Sequence, residues 1–224
     1  MGVINIIKQV VKIGGSLFPN HAIELARKLK DTNSVIILGG GEFANLIRQY
    51  DEEIKFSQEA NHWTAIDCMD IIAKLVNDKV ESTRLVYSIE EVKKVSDDGF
   101  TPIFVVSEFL RDEDPFECSW DVTSDSIAAY VAHLLNANLL IVTNVNGIYT
   151  QEPKEPGSTF ISKIDAKTLL TFQESSIDVM LPSLLLEFGT DCYVVNGKYP
   201  ERVLSLIDDN VNDYNFDYTK VIGE

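Results

Sequence analysis

The sequence predicts an α/β protein, a three-layer α/β/α sandwich in which helices cover both faces of a mainly parallel central sheet. Short apolar runs rich in valine and isoleucine alternate with helical patterns along almost the whole chain. Buried runs of this kind, separated by helices, are typical of parallel sheets with two covered faces. The 224 residues contain no low-complexity linker and no internal repeat, so we expect residues 1–224 to form a single domain.

The first half of the chain alternates strands and helices in a regular order. Dense β-branched residues predict strands at residues 6–13, 34–38, 84–87 and 102–107. The spacing of apolar residues predicts helices at residues 19–30, 42–50 and 57–77. A short helix ending at Val95 should follow Ser88, because Ser88 and Glu91 stand at the spacing of a capping box.

The second half continues the alternation with one interruption. A helix is predicted to begin at Ser124 or Asp125 and to end at Leu135, and a strand should follow at residues 139–143. Residues 151–159 contain proline and glycine and break the pattern. Beyond them we expect helices near residues 166–172, 184–188 and 201–207 and a strand at residues 192–195.

The net charge and the apolar runs narrow the possible partners and the compartment. A net charge of −16 works against nucleic-acid binding, which needs a basic surface. The longest apolar runs, such as residues 137–142, are much shorter than a membrane span, and the apolar N-terminus lacks a small-residue cleavage site. We therefore expect a cytoplasmic protein that binds neither nucleic acid nor membrane.

The cysteines and histidines give no indication of a disulfide framework or a zinc site. Cys68, Cys118 and Cys192 are far apart and odd in number, which favours reduced thiols. None of the three histidines stands at ligand spacing from a cysteine. The sequence predicts no metal site built from protein ligands.

The first candidate functional motif is a strand that ends in a cation and paired glycines. It consists of Lys12, Gly14, Gly15 and Ser16. In α/β sheets ligands bind at the carboxyl ends of strands, and glycines there let backbone N–H groups approach phosphate oxygens. Lys12 would supply positive charge for a transferred phosphoryl group. For this motif alone, a tight turn with a solvent-reaching lysine is the structural alternative.

The second motif is the next strand, which runs into Gly39, Gly40 and Gly41 and then into a helix. A helix N-terminus behind a glycine loop is an anion site. Two such loops on consecutive strands would hold two anionic groups side by side, as phosphoryl transfer between a nucleotide and an acceptor requires. The alternative is a purely structural glycine turn. The absence of a GxxxxGK[ST] pattern excludes a P-loop kinase.

Two further runs combine small, hydroxyl and amide residues. The first run leads into a helix through Asp121, Val122, Thr123 and Asp125. Capping of that helix is the structural alternative for Asp125. The second run begins where a strand ends, at Thr143 and Asn144, and passes through an Asn-Gly turn to Tyr149.

These four motifs, in this order, resemble the amino acid kinase family, which includes acetylglutamate, aspartate, uridylate, carbamate and isopentenyl phosphate kinases. The resemblance covers nearly the whole chain and implies the carbamate kinase-like fold of that family. It implies an acceptor-binding N-terminal lobe of about residues 1–120 and a nucleotide-binding C-terminal lobe of about residues 121–224. It also implies ATP as phosphoryl donor, Mg²⁺ as the accompanying ion and assembly into a homo-oligomer.

The resemblance assigns roles to individual residues. The ATP phosphates would be held by Lys12, Gly14, Gly15 and Ser16, and the acceptor and the transferred phosphoryl group by Gly39, Gly40 and Gly41. Asp125 matches the family aspartate that orients the lysine, so Lys12 and Asp125 would form the catalytic pair. The adenosine part of ATP would lie near Thr143, Asn144, Tyr149 and Glu152. Residues 218–222 resemble the last strand of the family.

Two departures from the family pattern affect this assignment. Asn144 and Asn146 stand where the family usually has aspartates. Ser183 stands where a second lysine would be expected, which argues against a two-lysine clamp. The missing charge would then have to come from another cation, and Lys154, Lys163 and Lys198 are the candidates.

Within the family, residues 61–63, 119–126 and 194–202 resemble the archaeal kinases of methanofuran biosynthesis, which act on [5-(aminomethyl)furan-3-yl]methyl phosphate. That resemblance implies transfer to an existing phosphate, giving a diphosphate. The candidate acceptor ligands are then His62, Trp63, Asp121, Val122 and Thr123. Trp63 or Trp120 would stack on the furan ring, and Asp121 or Asp67 would pair with the aminomethyl group. Core packing is the alternative for both tryptophans, and a satisfied surface position is the alternative for His62.

Three rival functions are open from the sequence. An isopentenyl phosphate kinase would be expected to have a histidine shortly after the second glycine loop, and this chain has none there, which counts against that function. A uridylate kinase would be expected to have an arginine at the position of Asn45. A non-catalytic nucleotide-binding or storage protein with the same fold is the alternative of another class, and the presence of Lys12 and Asp125 argues against it.

Overall fold

The computed structural model describes residues 7–172, 176–208 and 214–224. Within these residues the strands are β1 (Gln9–Ile13), β2 (Ser34–Leu38), β3 (Thr83–Val86), β4 (Thr101–Phe104), β5 (Asn138–Thr143), β6 (Ile148–Tyr149), β7 (Phe160–Ile161), β8 (Lys163–Asp165), β9 (Cys192–Asn196) and β10 (Thr219–Ile222). Strands β6 and β7 form a small antiparallel pair. The other eight described strands form one sheet.

The order of that sheet is β3-β4-β2-β1-β5-β9-β10-β8, and its pairs are parallel except for the antiparallel pair of β9 and β10. Strand β1 lies in the middle, with Lys12 opposite Ile37 of β2 and Ile141 of β5. From β1 the chain passes to β2 on one side, and from β5 it passes to β9 on the other. The carboxyl ends of β1 and β5 therefore flank a crevice where the strand order reverses, the usual ligand position in open α/β sheets.

The described helices are α1 (Asn20–Lys28), α2 (Gly41–Ile54), α3 (Gln58–Lys79), α4 (Ile89–Asp97), α5 (Ser107–Glu113), α6 (Ser124–Leu135), α7 (Ala166–Leu169), α8 (Leu181–Phe188) and α9 (Pro200–Ile207). Residues 15–17 form a single 3₁₀ turn. No helix of the described residues is long and apolar enough to cross a membrane.

Two apolar cores lie on opposite faces of the sheet, so the predicted three-layer α/β/α fold is confirmed. Alternate residues of β1 serve the two cores: Val10 packs with α6 and α8 on one face, and Val11 and Ile13 pack with α1 and α9 on the other. Lys12 lies two residues after Val10 in β1, so its side chain points to the same face of the sheet, toward α6. This placement brings a charged side chain of the central strand to the helix that carries Asp125.

Several predicted element bounds are corrected by the structure. The strand expected at residues 102–107 ends at Phe104, and Ser107 instead begins α5, a helix that the sequence analysis did not predict. The buried carboxylate of Asp70 in α3 accepts a hydrogen bond from Val106 N–H at 3.0 Å and so caps α5 from another element. Helix α2 continues to Ile54 rather than Tyr50, and α8 begins at Leu181 rather than at 184. The first strand begins at Gln9, and Ile6 lies outside the described residues.

Candidate active site

The two glycine loops meet at the carboxyl ends of β1, β2 and β5. Gly14 N–H donates to the carbonyl oxygen of Val142 at 2.7 Å, and Gly39 N–H donates to that of Ile13 at 2.9 Å. A Cβ atom on Gly15 would lie 2.1 Å from the backbone nitrogen of Gly41. Gly41 itself has φ +55°, a conformation that favours glycine. The close approach brings the backbone of both loops into one small region, as two adjacent anion sites require.

Lys12 and Asp125 form a buried ion pair beside these loops. The Nζ atom of Lys12 lies 2.7 Å from Oδ1 of Asp125, and the two residues are 7% and 4% exposed. Burial raises the pKa of Asp125, and the nearby charge of Lys12 opposes that rise. The structure thus joins the two residues predicted as the catalytic pair, and Asp125 is a buried partner of Lys12 rather than a solvent-facing cap.

Asp178 organises the N-terminus of α6 and was missed by the sequence analysis as a site residue. Its Oδ2 atom accepts hydrogen bonds from the N–H and hydroxyl of Thr123 and from the N–H of Ser126, at 2.8–3.0 Å. Its Oδ1 atom accepts from the Ser126 hydroxyl at 2.6 Å and from Leu181 N–H at 2.8 Å. Its own N–H donates to Oδ2 of Asp125 at 3.1 Å. One carboxylate therefore caps α6 and α8 together, and the same residue holds the free oxygen of Asp125.

A cavity of about 140 Å³ lies beyond the end of β5. Its lining includes the four residues predicted to hold adenosine, which are Thr143, Asn144, Tyr149 and Glu152. The other lining residues are Val145, Gln151, Pro153 and Ser176. The ring of Tyr149 is held edge-to-face against Phe160 of β7 at 5.5 Å between centroids. The structure brings these four side chains together as the resemblance implied.

The hydrogen bonds of Asn146 explain why this position carries an amide rather than the aspartate usual in the family. Its Oδ1 atom accepts from Asn196 Nδ2 at 3.0 Å and from Arg202 at 3.3 Å, while its Nδ2 atom donates to Asp217 at 3.3 Å. An aspartate here would place a second carboxylate against Asp217. The asparagine satisfies donors and an acceptor at once, which an aspartate cannot do.

A larger cleft of about 550 Å³ adjoins this cavity, and Ser176 lines both. Its described lining includes Asp121, Thr123 and Asp125 from the predicted site and Asp178, which anchors the α6 terminus. It also includes residues that the sequence analysis did not assign to the site: Arg48, Asp51, Glu52, Ile177 and Val179. Trp120 lies on its wall with its indole N–H donating to Asp51 at 3.2 Å.

A small, mostly apolar cavity of about 70 Å³ continues from the cleft toward the second glycine loop. Trp120, Thr123 and Arg48 line both the cleft and this cavity. The remaining lining residues are Gly40, Ala44, Ala65, Ile66, Met69, Val122, Ser124 and Ile127. A flat apolar group attached to a phosphate would find polar walls in the cleft and apolar walls here.

His62 and Trp63 lie outside the linings of these three cavities. His62 is buried, and the N–H of Ser119 donates to its Nδ1 atom at 3.4 Å, so it supports the chain segment before Trp120. It is not the surface histidine given as its alternative. The guanidinium of Arg111 lies 4.7 Å from the ring of the partly buried Trp63. The predicted role of both residues as direct acceptor ligands stays a prediction.

The second lysine of the family pattern has no counterpart in the cavity linings. Ser183 lies in the first turns of α8. The three lysines considered as replacements are exposed, and Lys163 is on the edge strand β8. Arg48 is the cation that lines the cleft. Among the described residues, no group of three histidine, cysteine, aspartate or glutamate side chains is arranged to hold a metal ion.

Comparisons with known proteins agree on one family. A model described as the amino acid kinase family matches residues 8–196. The chain is 35% identical to a [5-(aminomethyl)furan-3-yl]methyl phosphate kinase of Methanocaldococcus jannaschii, over 96% of this chain and 97% of that protein. It is 26% identical to a uridylate kinase of Methanococcus maripaludis, over 83% of this chain and 84% of that protein. Among solved structures, the UMP kinase of Ureaplasma parvum is similar in fold, with a TM-score of 0.72 at 20% identity, over 96% of this chain and 98% of that chain.

Proposed function

The chain belongs to the amino acid kinase family of ATP-dependent phosphotransferases, and we propose that the acceptor of this enzyme is the phosphate group of a small metabolite. The observation that carries the proposal is the contact between the two glycine loops beside the Lys12–Asp125 pair. Two anions held on these loops would lie next to each other at the end of the central strands.

The donor half of the proposed site consists of the first glycine loop and the cavity beyond β5. Lys12, Gly14, Gly15 and Ser16 bind the ATP phosphates, and Thr143, Asn144, Tyr149 and Glu152 hold the adenosine. Asp125 fixes the ammonium of Lys12 so that its positive charge stays at the place where negative charge develops. We assign this half to a nucleotide-binding lobe of about residues 121–224, completed by the first glycine loop, and the acceptor half to a lobe of about residues 1–120.

The chemistry needs positioning rather than a strong base. An acceptor phosphate is ionised at neutral pH, so its oxygen attacks the γ-phosphorus of ATP directly. A bond forms between that oxygen and the γ-phosphorus, the bond from the γ-phosphorus to the bridging oxygen breaks, and ADP leaves with the electron pair. The products are ADP and a diphosphate. Gly40 and Gly41 donate backbone N–H groups to the transferred phosphoryl group, and Gly39, whose own N–H donates to the carbonyl oxygen of Ile13, ties the second loop to the end of β1.

Mg²⁺ supplies neutralisation of phosphate charge in reactions of this kind. We propose that it is bound chiefly by the phosphate groups of the substrates, since Mg²⁺ commonly keeps its waters and few protein ligands in kinase sites. The carboxylates of Asp125 and Asp178 are committed to Lys12 and to helix capping.

The acceptor that we propose is [5-(aminomethyl)furan-3-yl]methyl phosphate, which would be phosphorylated for methanofuran biosynthesis. Support comes from the name of the Methanocaldococcus relative and from the chemistry of the cleft. The small cavity beside Gly40 offers Trp120, Val122 and Met69 to a flat ring. Asp121 and Thr123 line the adjoining cleft, where a carboxylate would pair with an aminomethyl cation.

UMP is the second candidate, because uridylate kinases are among the relatives. The deciding experiment measures ADP release with the furan phosphate, UMP and isopentenyl phosphate as separate acceptors. We expect kcat/KM for the furan phosphate to exceed the other two by at least about a hundredfold, since a site built for one acceptor leaves polar groups unpaired with another. Turnover of UMP alone would reject the furan assignment, and turnover of none would favour a non-catalytic nucleotide-binding protein.

We further propose a cytoplasmic homo-oligomer in which the outer face of α2 contacts a second copy. Phe43, Leu46, Tyr50 and Ile54 form an exposed apolar row along that helix, with exposed fractions of 40–59%. Such rows are unusual on isolated subunits. Sedimentation of the wild type and of a Leu46→Asp/Ile54→Asp variant tests this. A wild-type monomer, or a variant of unchanged mass, would contradict it.

A further inference from the structure

Arg48 holds an unpaired positive charge in a protein of net charge −16. Within the part of the chain that the structure describes, its guanidinium contacts the face of Trp120, 4.7 Å from the ring centroid, and no ion pair to a carboxylate is found. Asp51, one turn further along α2, accepts instead from Trp120 and from Phe56 N–H. Arg48 therefore lines the cleft with no ion pair among the described residues, while the carboxylates of Asp51 and Glu52 line the same cleft.

Arg48 lies on the same side of α2 as the second glycine loop. Gly41, Ala44 and Arg48 are spaced by three and four residues, so they share one face of the helix. Side chains of a helix lean toward its N-terminus, so the guanidinium reaches back toward Gly41. Gly40, Ala44 and Arg48 accordingly line the same small cavity. A group bound by Arg48 would lie next to whatever the glycine loop holds.

The proposed reaction favours a cation at this position. The triphosphate of ATP and the phosphate of the acceptor must approach each other, yet Lys12 is buried against Asp125 and Ser183 replaces the second lysine of the family pattern. Lys154, Lys163 and Lys198 are absent from the linings of the three described cavities. Arg48 is the cation in the linings of the cleft and of the small cavity.

We propose that Arg48, supported on the face of Trp120, binds the phosphate group of the acceptor substrate. The inference rests on the proposed function, which supplies a phosphorylated acceptor. A guanidinium forms two parallel hydrogen bonds with phosphate, and stacking on an indole holds its plane in one orientation. Arg48 would thus fix the attacking oxygen relative to the glycine loops, and it would select acceptors that already carry a phosphate.

The test compares the steady-state constants of Arg48→Gln and Arg48→Lys with those of the wild type, using the acceptor that the wild type turns over. We expect Arg48→Gln to raise the acceptor KM by about 10- to 100-fold, the range for losing a charge-assisted hydrogen-bonding pair. The KM for ATP should change by less than about threefold, because the donor cavity does not include Arg48. Arg48→Lys should be intermediate, since it keeps the charge and loses the planar fork.

Arg84→Gln is the matched control. The guanidinium of Arg84 also lies over an aromatic ring, 3.7 Å from the centroid of Phe100, but it is outside the linings of the three cavities and donates to the carbonyl oxygens of Glu81 and Thr83. Its removal should leave both KM values unchanged. An acceptor KM for Arg48→Gln within about twofold of the wild type would overturn the proposal, and so would an equal effect of Arg84→Gln.

Failure of the kinase function would be visible separately, as a wild-type protein that turns over none of the acceptors. In that case calorimetric titration with the furan phosphate and with UMP decides about Arg48 alone. Binding by the wild type that is lost in Arg48→Gln supports the phosphate role. Equal binding by both proteins, or no binding by the wild type, overturns it.

Discussion

Replacement of Asp178 by alanine tests how far one carboxylate holds the site together. The substitution removes the acceptor of five hydrogen bonds, from two backbone or hydroxyl donors of Thr123, two of Ser126 and the N–H of Leu181. It also removes a negative charge from the N-termini of α6 and α8, where helix dipoles favour one.

The expected loss follows from these contacts. Removing a helix cap costs about 1 kcal/mol, and two helices are affected. The hydroxyls of Thr123 and Ser126 lose a charged partner but can turn to solvent, so we assign them together about 1 kcal/mol. The free energy of unfolding should therefore fall by about 3 kcal/mol, which corresponds to a Tm lower by roughly 6–12 °C for a chain of this size.

The assay combines denaturant unfolding with turnover. Asp165→Ala is the control, because Asp165 caps α7 alone, through the N–H and hydroxyl of Thr168. It should cost about 1 kcal/mol and leave kcat unchanged. For Asp178→Ala we also expect kcat to fall by about tenfold or more, since a small displacement of Asp125 misplaces Lys12. A loss no larger than that of Asp165→Ala, with normal kcat, would refute the reasoning.

Two other substitutions probe the centre of the site. Lys12→Met should lower kcat on the order of a hundredfold or more. It should also cost about 3–5 kcal/mol at neutral pH by leaving Asp125 buried and unpaired. Because burial already raises the pKa of Asp125 and Lys12 opposes that rise, the pKa climbs further in the variant. When the pKa of a carboxyl group is higher in the folded protein than in the unfolded chain, the free energy of unfolding falls as pH rises toward the folded-state pKa. Unfolding curves of the variant should therefore show stability recovered on acidification. That pH dependence should vanish in Lys12→Met/Asp125→Asn, and its persistence there would assign it to other groups. Gly15→Ala should reduce kcat about a hundredfold, because its Cβ would stand 2.1 Å from Gly41 N and push the loops apart. Gly14→Ala, with its Cβ 3.1 Å from the Val142 oxygen, should lose less, and equal kcat values for the two variants would contradict the loop contact.

The sequence was most informative where a feature is local in the chain. The glycine loops follow apolar strands directly, and the first turn of α6 carries its aspartate within a recognisable run. These signals predicted the parallel sheet and the sheet edge at which the two glycine loops lie, while the pairing of Lys12 with Asp125 was implied by the family resemblance. The catalytic and binding roles of all the predicted site residues, Ser16, His62 and Trp63 among them, remain predictions, because geometry alone does not test them.

The features that were missed depend on contacts between distant residues. Helix α5 is capped by Asp70, 36 positions earlier, so its start looked like a continuing strand. Asp178 caps α6 from more than 50 positions away. Arg48 is an ordinary exposed arginine by sequence, and only the fold places Trp120 and the cleft beside it. Neither the periodicity of apolar residues nor the spacing of motifs in the sequence reveals contacts between residues so far apart.

These same contacts support the proposed placement of substrate phosphates in a protein of net charge −16. At the N-terminus of α6 the carboxylate of Asp178 accepts from Thr123 N–H and Ser126 N–H, and its negative charge disfavours a second anion there. The N-terminus of α2 begins instead with glycines, and no side chain of its N-cap residue Gly40 accepts from it. Glu42 is the acidic residue in the first turn of α2, and Arg48 lies two turns after Gly41, where the helix begins. Under the proposed function, this difference between the starts of α6 and α2 would favour binding of the acceptor phosphate at the second glycine loop, since a helix N-terminus without a capping carboxylate attracts anions.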